Sequence, residues 1–164
     1  SYEPERAPHV QAFIELAVKL GDIIQTTDVQ AAKARDARFR AGQPETFHYP
    51  APRLGPGVWT GEHPAVARVF GQPQLADGRW LDAAVGSNFA LLVDDGLLAA
   101  ADADTMARLD ALGAVVLPAQ GHPALRDWLC EQQVAAVLLR PDRYVAGVAV
   151  DADGLARITG VMSA

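Results

Sequence analysis

A proline- and glycine-rich segment divides this chain and limits what it can fold into. Between residues 44 and 64 there are five prolines and three glycines, which interrupt every helical or strand period. We interpret residues 44–65 as an extended connector between two folding units. The chain of 164 residues is the size of one ordinary domain, and its 50% hydrophobic content is enough to fill a core of that size.

Residues 1–43 form the first unit and predict two helices. From residue 4 to residue 20 apolar side chains recur at the spacing of one helical face, and Gly21 follows as a carboxyl-terminal cap. That face consists of Val10, Phe13, Ile14, Ala17 and Val18. A second helix is expected over residues 28–40, with Thr27 and Gln30 at capping-box spacing. Its apolar face is thin, so it is either a solvated surface helix or one that packs against a part of the protein larger than itself.

The segment 66–164 alternates strands and helices. Strands are expected at 89–93, 114–117, 134–139 and 144–150. Between them lie a helix capped near Asp102, with Met106, Leu109 and Leu112 facing inward, and a helix opened by Pro123. The order β-α-β-α-β-β is that of a thioredoxin-like core. We therefore predict an α/β fold: a thioredoxin-like C-terminal domain preceded by helices and the Pro/Gly-rich connector.

The single cysteine, Cys130, rules out an internal disulfide and Cys-x-x-Cys redox chemistry. Thioredoxin catalysis needs a cysteine at the start of the helix after the first strand, yet residues 92–105 contain none. We expect Cys130 to be a small buried hydrophobe. An active thiol oxidoreductase is therefore excluded.

Charge and hydropathy exclude two further classes of partner. All of the formal net charge of −6 lies in residues 61–164, which carry seven basic and thirteen acidic side chains, so no basic patch favours nucleic acid. The longest apolar run, 134–139, is far too short to span a bilayer, and the charged, proline-broken amino terminus lacks a signal-peptide core. We expect a cytoplasmic chain with no nucleic-acid or membrane partner.

No constellation of side chains predicts a catalytic, cofactor-binding or metal-binding site. The histidines lack metal-ligand spacing, and the paired aspartates occupy turn or cap positions. Ser87 lacks the second glycine of a nucleophile elbow, and no basic stripe interleaves with the tryptophans, which are expected in a core or interface. The residues considered and set aside are His9, His48, His63, His122, Asp94, Asp95, Asp102, Asp104, Ser87, Trp59, Trp80 and Trp128.

Several short motifs nevertheless resemble those of a known family, the FAD-dependent aromatic hydroxylases related to phenol hydroxylase and 3-(3-hydroxyphenyl)propionate hydroxylase. The resemblance covers nearly the whole chain and matches the carboxyl-terminal part of these flavoprotein monooxygenases. The motifs are Tyr2-Glu-Pro-Glu-Arg6, Gly71-Gln-Pro-Gln, Leu81-Asp82-x-x-x-Gly86, Phe89-Ala-Leu-Leu92 and Val137-Leu-Leu-Arg-Pro-Asp-Arg-Tyr-Val-Ala-Gly147.

The resemblance implies a parent enzyme that uses FAD and NAD(P)H to hydroxylate an aromatic ring, with phenylpropionate-type and polyketide-tailoring relatives both similar. The FAD motifs of that family have no counterpart here. This chain would then be a non-catalytic portion that packs on a missing N-terminal FAD domain or makes subunit contacts, with a homodimer left open. The alternative is a stand-alone, redox-inactive thioredoxin-like interaction module. The helical segment and long connector favour the first reading, because a stand-alone module needs neither.

Overall fold

The computed structural model describes residues 2–43 and 51–161. The start of the predicted connector and His48 lie outside these residues. Two compact units are present: one comprises Tyr2–Gly55, and the other runs from Pro56 onward.

The first unit contains two helices, α1 (Tyr2–Ile24) and α2 (Val29–Arg40). Helix α1 does not end at Gly21 as predicted. The Gly21 carbonyl still accepts a helical hydrogen bond from the amide of Gln25 at 2.8 Å, and Gly21 lacks the positive φ of a carboxyl-terminal cap. A glycine inside a helix is tolerated at a modest cost.

A proline inside α1 determines how residues 51–55 pack on it. Pro8 has no amide hydrogen and leaves the carbonyl of Pro4 without its helical donor. Gly55 approaches this carbonyl so closely that a Cβ atom there would lie 2.1 Å from the oxygen. The amide of Gly55 also donates to the Glu5 carbonyl at 2.8 Å. Any residue with a Cβ atom would clash with the Pro4 carbonyl, so only glycine fits at position 55.

Asp28, rather than Thr27, caps α2. Its carboxylate accepts from the Ala31 amide at 2.7 Å, so the predicted capping box is replaced by a single aspartate cap. Gly42 follows the helix with φ +70°, as expected for the residue that ends it. Arg35 joins the two helices, because its guanidinium donates to the Ile23 carbonyl at 2.6 Å.

The second unit is built on a four-stranded mixed sheet. Its strands are β1 (Ala90–Val93), β2 (Val115–Pro118), β3 (Ala136–Leu139) and β4 (Val145–Ala149), in the order β2–β1–β3–β4. β1 runs parallel to β2 and antiparallel to β3, and β3 pairs antiparallel with β4. All four predicted strands and the final hairpin are thus confirmed, three of the strands with shorter bounds and β2 shifted by one residue.

The helices of this unit are α3 (Leu81–Val85), α4 (Asp95–Ala99), α5 (Ala103–Ala111), α6 (Pro123–Gln132) and α7 (Ala152–Val161). The predicted α5 and α6 are present, whereas α3, α4 and α7 were not expected. Met106, expected to face inward on α5, is 41% exposed, and Thr105 takes the buried position instead.

Helix α7 contributes part of the core through its apolar face. Asp151 begins it by accepting the Gly154 amide at 2.8 Å, and α7 packs against β4 and α5. Leu155 and Ile158, one turn apart, are buried in the same cluster as Leu91 and Leu138. The packing is close at Gly147 on β4, where a Cβ atom would lie 2.7 Å from Ile158 Cγ2.

The segment that precedes α3 covers the β4 edge of the sheet. The amides of Thr60 and Ala67 donate to Ala146 and Val145 at 2.8 and 2.9 Å. Val69 then forms an isolated antiparallel bridge with Tyr144. These bonds occupy the outward backbone groups of β4.

Candidate functional site

Three of the sequence motifs that carry the family resemblance meet at one exposed residue, Asp82. Asp82 lies in the first turn of α3, and its amide donates to the side-chain oxygen of Gln72 at 3.1 Å. Its carboxylate accepts from Arg143 Nε at 2.5 Å. Motifs separated by as many as 61 residues are therefore parts of one hydrogen-bonded cluster, which we call the Asp82–Arg143 node.

Arg143 makes most of the bonds in this node. Its guanidinium donates to the Asn88 carbonyl at 3.3 Å and the Pro141 carbonyl at 3.2 Å, and also to the Gly86 carbonyl. The side chain is only 13% exposed, and the residue adopts φ +63° at the end of the β3–β4 turn. The guanidinium of arginine presents five N–H donors in a planar fork, so one side chain can bridge a carboxylate and several carbonyls. The node ties this turn to the loop before β1.

Arg140 stabilises the other side of the same turn. It forms a two-point ion pair with Asp142, with N···O distances of 3.2 and 3.0 Å, and its third nitrogen donates to the Val58 carbonyl at 3.3 Å. The Arg143 amide donates back to the Arg140 carbonyl at 2.9 Å, which confirms the predicted four-residue turn. The Arg-Pro-Asp-Arg motif is therefore architectural in this domain.

Helix α1 exposes most of the apolar face that the sequence spacing indicated, with only Phe13 of that face half-buried. Val10 is 47% exposed, and Ile14 and Val18 are each 58% exposed. The opposite side, including the 2% exposed Glu5, is the side that packs within the Tyr2–Gly55 unit. We call the exposed residues Val10, Ile14, Ala17 and Val18 the α1 stripe. A contiguous exposed apolar stripe on a helix marks a surface that packs on something else.

A groove lined by polar and apolar residues lies where β1 and β2 end. It has a volume of about 530 Å³ and is lined by Asp94, Asp95, Gln120, Arg126 and Cys130, among others. Cys130 is exposed there, so the expectation of a buried cysteine was wrong. It lies on the outer side of α6, while Leu125 and Leu129 take the buried positions.

The histidines that the structure describes have structural contacts. Nδ1 of His63 accepts from the Ala65 amide at 3.2 Å while Nε2 lies 3.1 Å from the Gln132 carbonyl, an arrangement that requires the neutral Nε2–H form. His122 accepts from the Ala76 amide at 3.2 Å. His9 packs its ring 5.1 Å from that of Phe13, and partial burial, aided by nearby Arg6, lowers its pKa.

The aspartates occupy the caps and turns that the sequence predicted. Asp94 accepts from the Gly96 amide at 2.9 Å as the cap of α4, and Asp95 accepts from the Gln120 amide at 3.3 Å. Asp102 caps α5 through a 2.7 Å bond from Thr105, and its hydrogen bonds with Thr105 lower its pKa. Asp104, in the first turn of α5, and Ser87, in a turn, are both exposed.

The three tryptophans are dispersed. Trp128 is half-buried on α6 with its ring 4.8 Å from that of Phe70, and Trp59 is half-buried as well. Trp80 is 54% exposed beside Asp82. Within residues 2–43 and 51–161, no group of three or more His, Cys, Asp or Glu side chains is arranged to hold a metal ion. No helix in that part of the chain is long and apolar enough to cross a membrane.

Comparison with curated proteins identifies similar enzymes. The chain is 31% identical over 203 residues to a 3-(3-hydroxy-phenyl)propionate/3-hydroxycinnamic acid hydroxylase of Burkholderia cenocepacia, with 100% of this chain and 37% of that protein covered. It is 29% identical over 189 residues to the Mycobacterium sp. (strain KMS) hydroxylase of the same description, with 92% and 33% covered. The chain thus spans about a third of the length of these relatives.

Comparison with solved structures identifies a similar fold. The rebeccamycin biosynthetic enzyme RebC, soaked with K252c, superposes with a TM-score of 0.59 at 18% identity, covering 98% of this chain and 35% of RebC. RebC with reduced flavin gives a TM-score of 0.57 over similar coverage. At this identity the similarity concerns the fold alone.

A family model gives the most direct assignment. The model described as the HcaD C-terminal domain matches residues 67–162, which include the whole sheet, both sides of the Asp82–Arg143 node and α7. The predicted resemblance to the carboxyl-terminal part of aromatic hydroxylases is thereby confirmed. This chain belongs to the HcaD C-terminal domain family.

Proposed function

We propose that this chain is the carboxyl-terminal portion of an FAD-dependent, NAD(P)H-using aromatic monooxygenase, and that it supports the enzyme by packing instead of by catalysis. The observation that carries the proposal is the α1 stripe, an apolar face on an otherwise well-formed helix that its own unit leaves exposed. In a longer polypeptide that face packs on the flavin-binding part. The coverage of about a third of each curated relative supports the same view.

The domain boundaries follow from this proposal. Residues 1–43 belong to the end of the flavin- and substrate-binding domain, residues 44–65 form the connector, and residues 66–164 form a thioredoxin-like domain. Support for the last comes from the strand order β2–β1–β3–β4, in which only β3 runs opposite to the other three strands. The cysteine-free turn at Asp94–Gly96 supports a redox-inactive version of that fold.

The substrate class and cofactors are properties we propose for the parent enzyme. By analogy with the curated relatives the substrate is a hydroxylated phenylpropionate or cinnamate. FAD supplies the oxygen-activating chemistry and NAD(P)H the electrons. This chain contributes no residue to either cofactor, and the parent acts in the cytoplasm.

Without the flavin-binding part, the exposed stripe and the 45% exposed Phe39 favour self-association into a homodimer.

The first test is the DNA upstream of the codon for Ser1. An in-frame segment encoding a strand and the Gly-x-Gly-x-x-Gly turn of a dinucleotide-binding domain supports the proposal. A stop codon followed by a ribosome-binding site directly upstream would refute it, and the stand-alone, redox-inactive interaction module would then take its place.

The second test addresses the α1 stripe in the protein expressed with that upstream segment. Ile14→Lys places a charge in the stripe, whereas the control Glu15→Lys places the same side chain on the exposed polar flank of the same helix. We expect Ile14→Lys to lower flavin retention after gel filtration and to expose the connector to limited proteolysis, and Glu15→Lys to do neither. Equal behaviour of the two variants would contradict the assignment of the stripe as the packing face.

A further inference from the structure

One edge of the sheet is unprotected. β2 is the terminal strand on the side opposite β4, and within the described residues no strand pairs with its outer edge. The β4 edge, in contrast, is covered by the segment that precedes α3. An unpaired edge is a template for pairing with another chain, and proteins ordinarily protect it with charge or a covering segment.

The register shows which backbone groups of β2 face outward. The Val115 amide donates to the Phe89 carbonyl at 2.9 Å, so both backbone groups of Val115 face β1. Because successive residues of a strand alternate in direction, the N–H and C=O of Val116 face away from the sheet. Two neighbours limit the ladder: Pro118 has no N–H, and the Ala114 amide already donates to Leu109 at 3.0 Å. Val116 is therefore the centre of the free edge.

The sequence around this edge carries no protective charge. No Asp, Glu, Lys or Arg occurs between Asp110 and Arg126, and this is the longest stretch of the chain without one. A chain with a net charge of −6 repels a second copy wherever acidic side chains meet. Because the segment around β2 has no charged side chain, two copies of the chain can approach there without that repulsion.

We propose that the outer edge of β2 is a self-association surface at which two copies of this chain pair antiparallel about a two-fold axis through Val116. In that arrangement the Val116 N–H of each copy donates to the Val116 C=O of the other, so identical residues satisfy each other as a two-fold contact requires. The two four-stranded sheets become one continuous sheet of eight strands. This surface shares no residue with the α1 stripe.

The limits at Ala114 and Pro118 restrict the ladder to two inter-chain hydrogen bonds. The remaining stabilisation comes from the half-buried side chains of Val115 and Leu117. The contact is therefore weak and concentration-dependent, as expected for a small interface.

The test is residue-resolved amide exchange of the full 164-residue chain at two concentrations, about 5 µM and about 500 µM, which bracket a weak interface. The α1-stripe variant Ile14→Lys is used as background, so that association through the stripe does not contribute. We expect the Val116 amide to become at least about fivefold more protected at the higher concentration, while Val115, already bonded within the sheet, stays unchanged. No change at Val116 overturns the proposal, even if the chain dimerises elsewhere.

A variant pair gives the second measurement. Val116→Pro removes the outward N–H without breaking a bond to β1, and Val116→Ile keeps that N–H and the β-branched shape. In the same Ile14→Lys background, light scattering at the higher concentration should show the average mass of Val116→Pro falling to that of a monomer, while Val116→Ile keeps the mass of the background protein. A dimer that persists in folded Val116→Pro contradicts the proposal. If Val116→Pro does not fold, the exchange of the Val116 amide decides alone.

Discussion

Arg143 joins parts of the sequence that lie far apart, and its removal tests the Asp82–Arg143 node. Replacing it with alanine leaves the carbonyls of Gly86, Asn88 and Pro141 without their donor, so we expect a loss of about 2–3 kcal/mol in unfolding free energy. Arg143→Gly should lose less than Arg143→Ala, by about 1 kcal/mol, because the backbone adopts φ +63°. Urea denaturation of the three proteins measures both differences. Equal losses of unfolding free energy in Arg143→Ala and Arg143→Gly would show that residue 143 does not keep its positive φ in the variants.

Gly147 is required where α7 packs on β4. A Cβ atom would lie 2.7 Å from Ile158 Cγ2 and 3.2 Å from Thr60 Cγ2, so Gly147→Ala should destabilise the domain by about 1–3 kcal/mol. Gly160, inside α7, has no neighbour within 4 Å of such an atom. There the same change should stabilise the helix by up to about 1 kcal/mol. Thermal unfolding of both variants gives the two shifts, and a shift of the same sign in both would contradict this packing argument.

Asp102 links the stability of α5 to pH. Its hydrogen bonds with Thr105 lower its pKa in the folded state, so it contributes stability that is fully present above the ordinary aspartate pKa. That contribution is lost as the pH falls through the lowered pKa. Asp102→Asn keeps a good cap but does not titrate. Melting curves between pH 7 and pH 3 should therefore fall less steeply for Asp102→Asn, and identical slopes would rule out this linkage.

At the scale of elements, α1 carries an apolar face that the described residues of its own unit leave mostly uncovered. The spacing of Val10, Phe13, Ile14, Ala17 and Val18 predicted the helix and this face. Phe13 is half-buried and the other four residues are exposed, because residues 51–55 pack on the other side of the helix. Periodicity identifies an apolar face without identifying its partner.

The contact between α1 and residues 51–55 can be tested at Gly55. Gly55→Ala places a methyl group against the Pro4 carbonyl, which Pro8 leaves without a helical donor. We expect limited proteolysis to cut residues 51–55 faster in this variant. Gly21→Ala is the control, since no atom lies within 4 Å of its Cβ position and alanine favours the helix. Equal cleavage rates in Gly55→Ala and the unmodified chain would contradict the close approach.

At the scale of the whole molecule, the proposed packing role predicts that the isolated chain neither binds FAD nor reduces disulfides. No Gly-x-Gly-x-x-Gly turn is present to receive a pyrophosphate, so we expect no stoichiometric yellow complex after mixing with FAD and desalting. Cys130 is exposed but has no second thiol for exchange. Cys130→Ser should therefore behave like the unmodified chain in a disulfide reductase assay. Retained flavin, or a reductase activity that this change abolishes, would contradict the packing role.

Capping residues and apolar periods act over a few residues, so the sequence alone determined the elements that depend on them. These elements are the four strands, the helices α1, α2, α5 and α6, and the turn at Pro141. The short α3 and α4 were not predicted, because five residues are too few to show a helical period. Helix α7 was also not predicted, although Leu155 and Ile158 have helical spacing. The short motifs also determined the family resemblance. Contacts distant in sequence could be decided only by the tertiary structure. These are the convergence of Gln72, Asp82 and Arg143, the outward direction of the α1 stripe, and the free edge at Val116, each of which depends on which elements pack together.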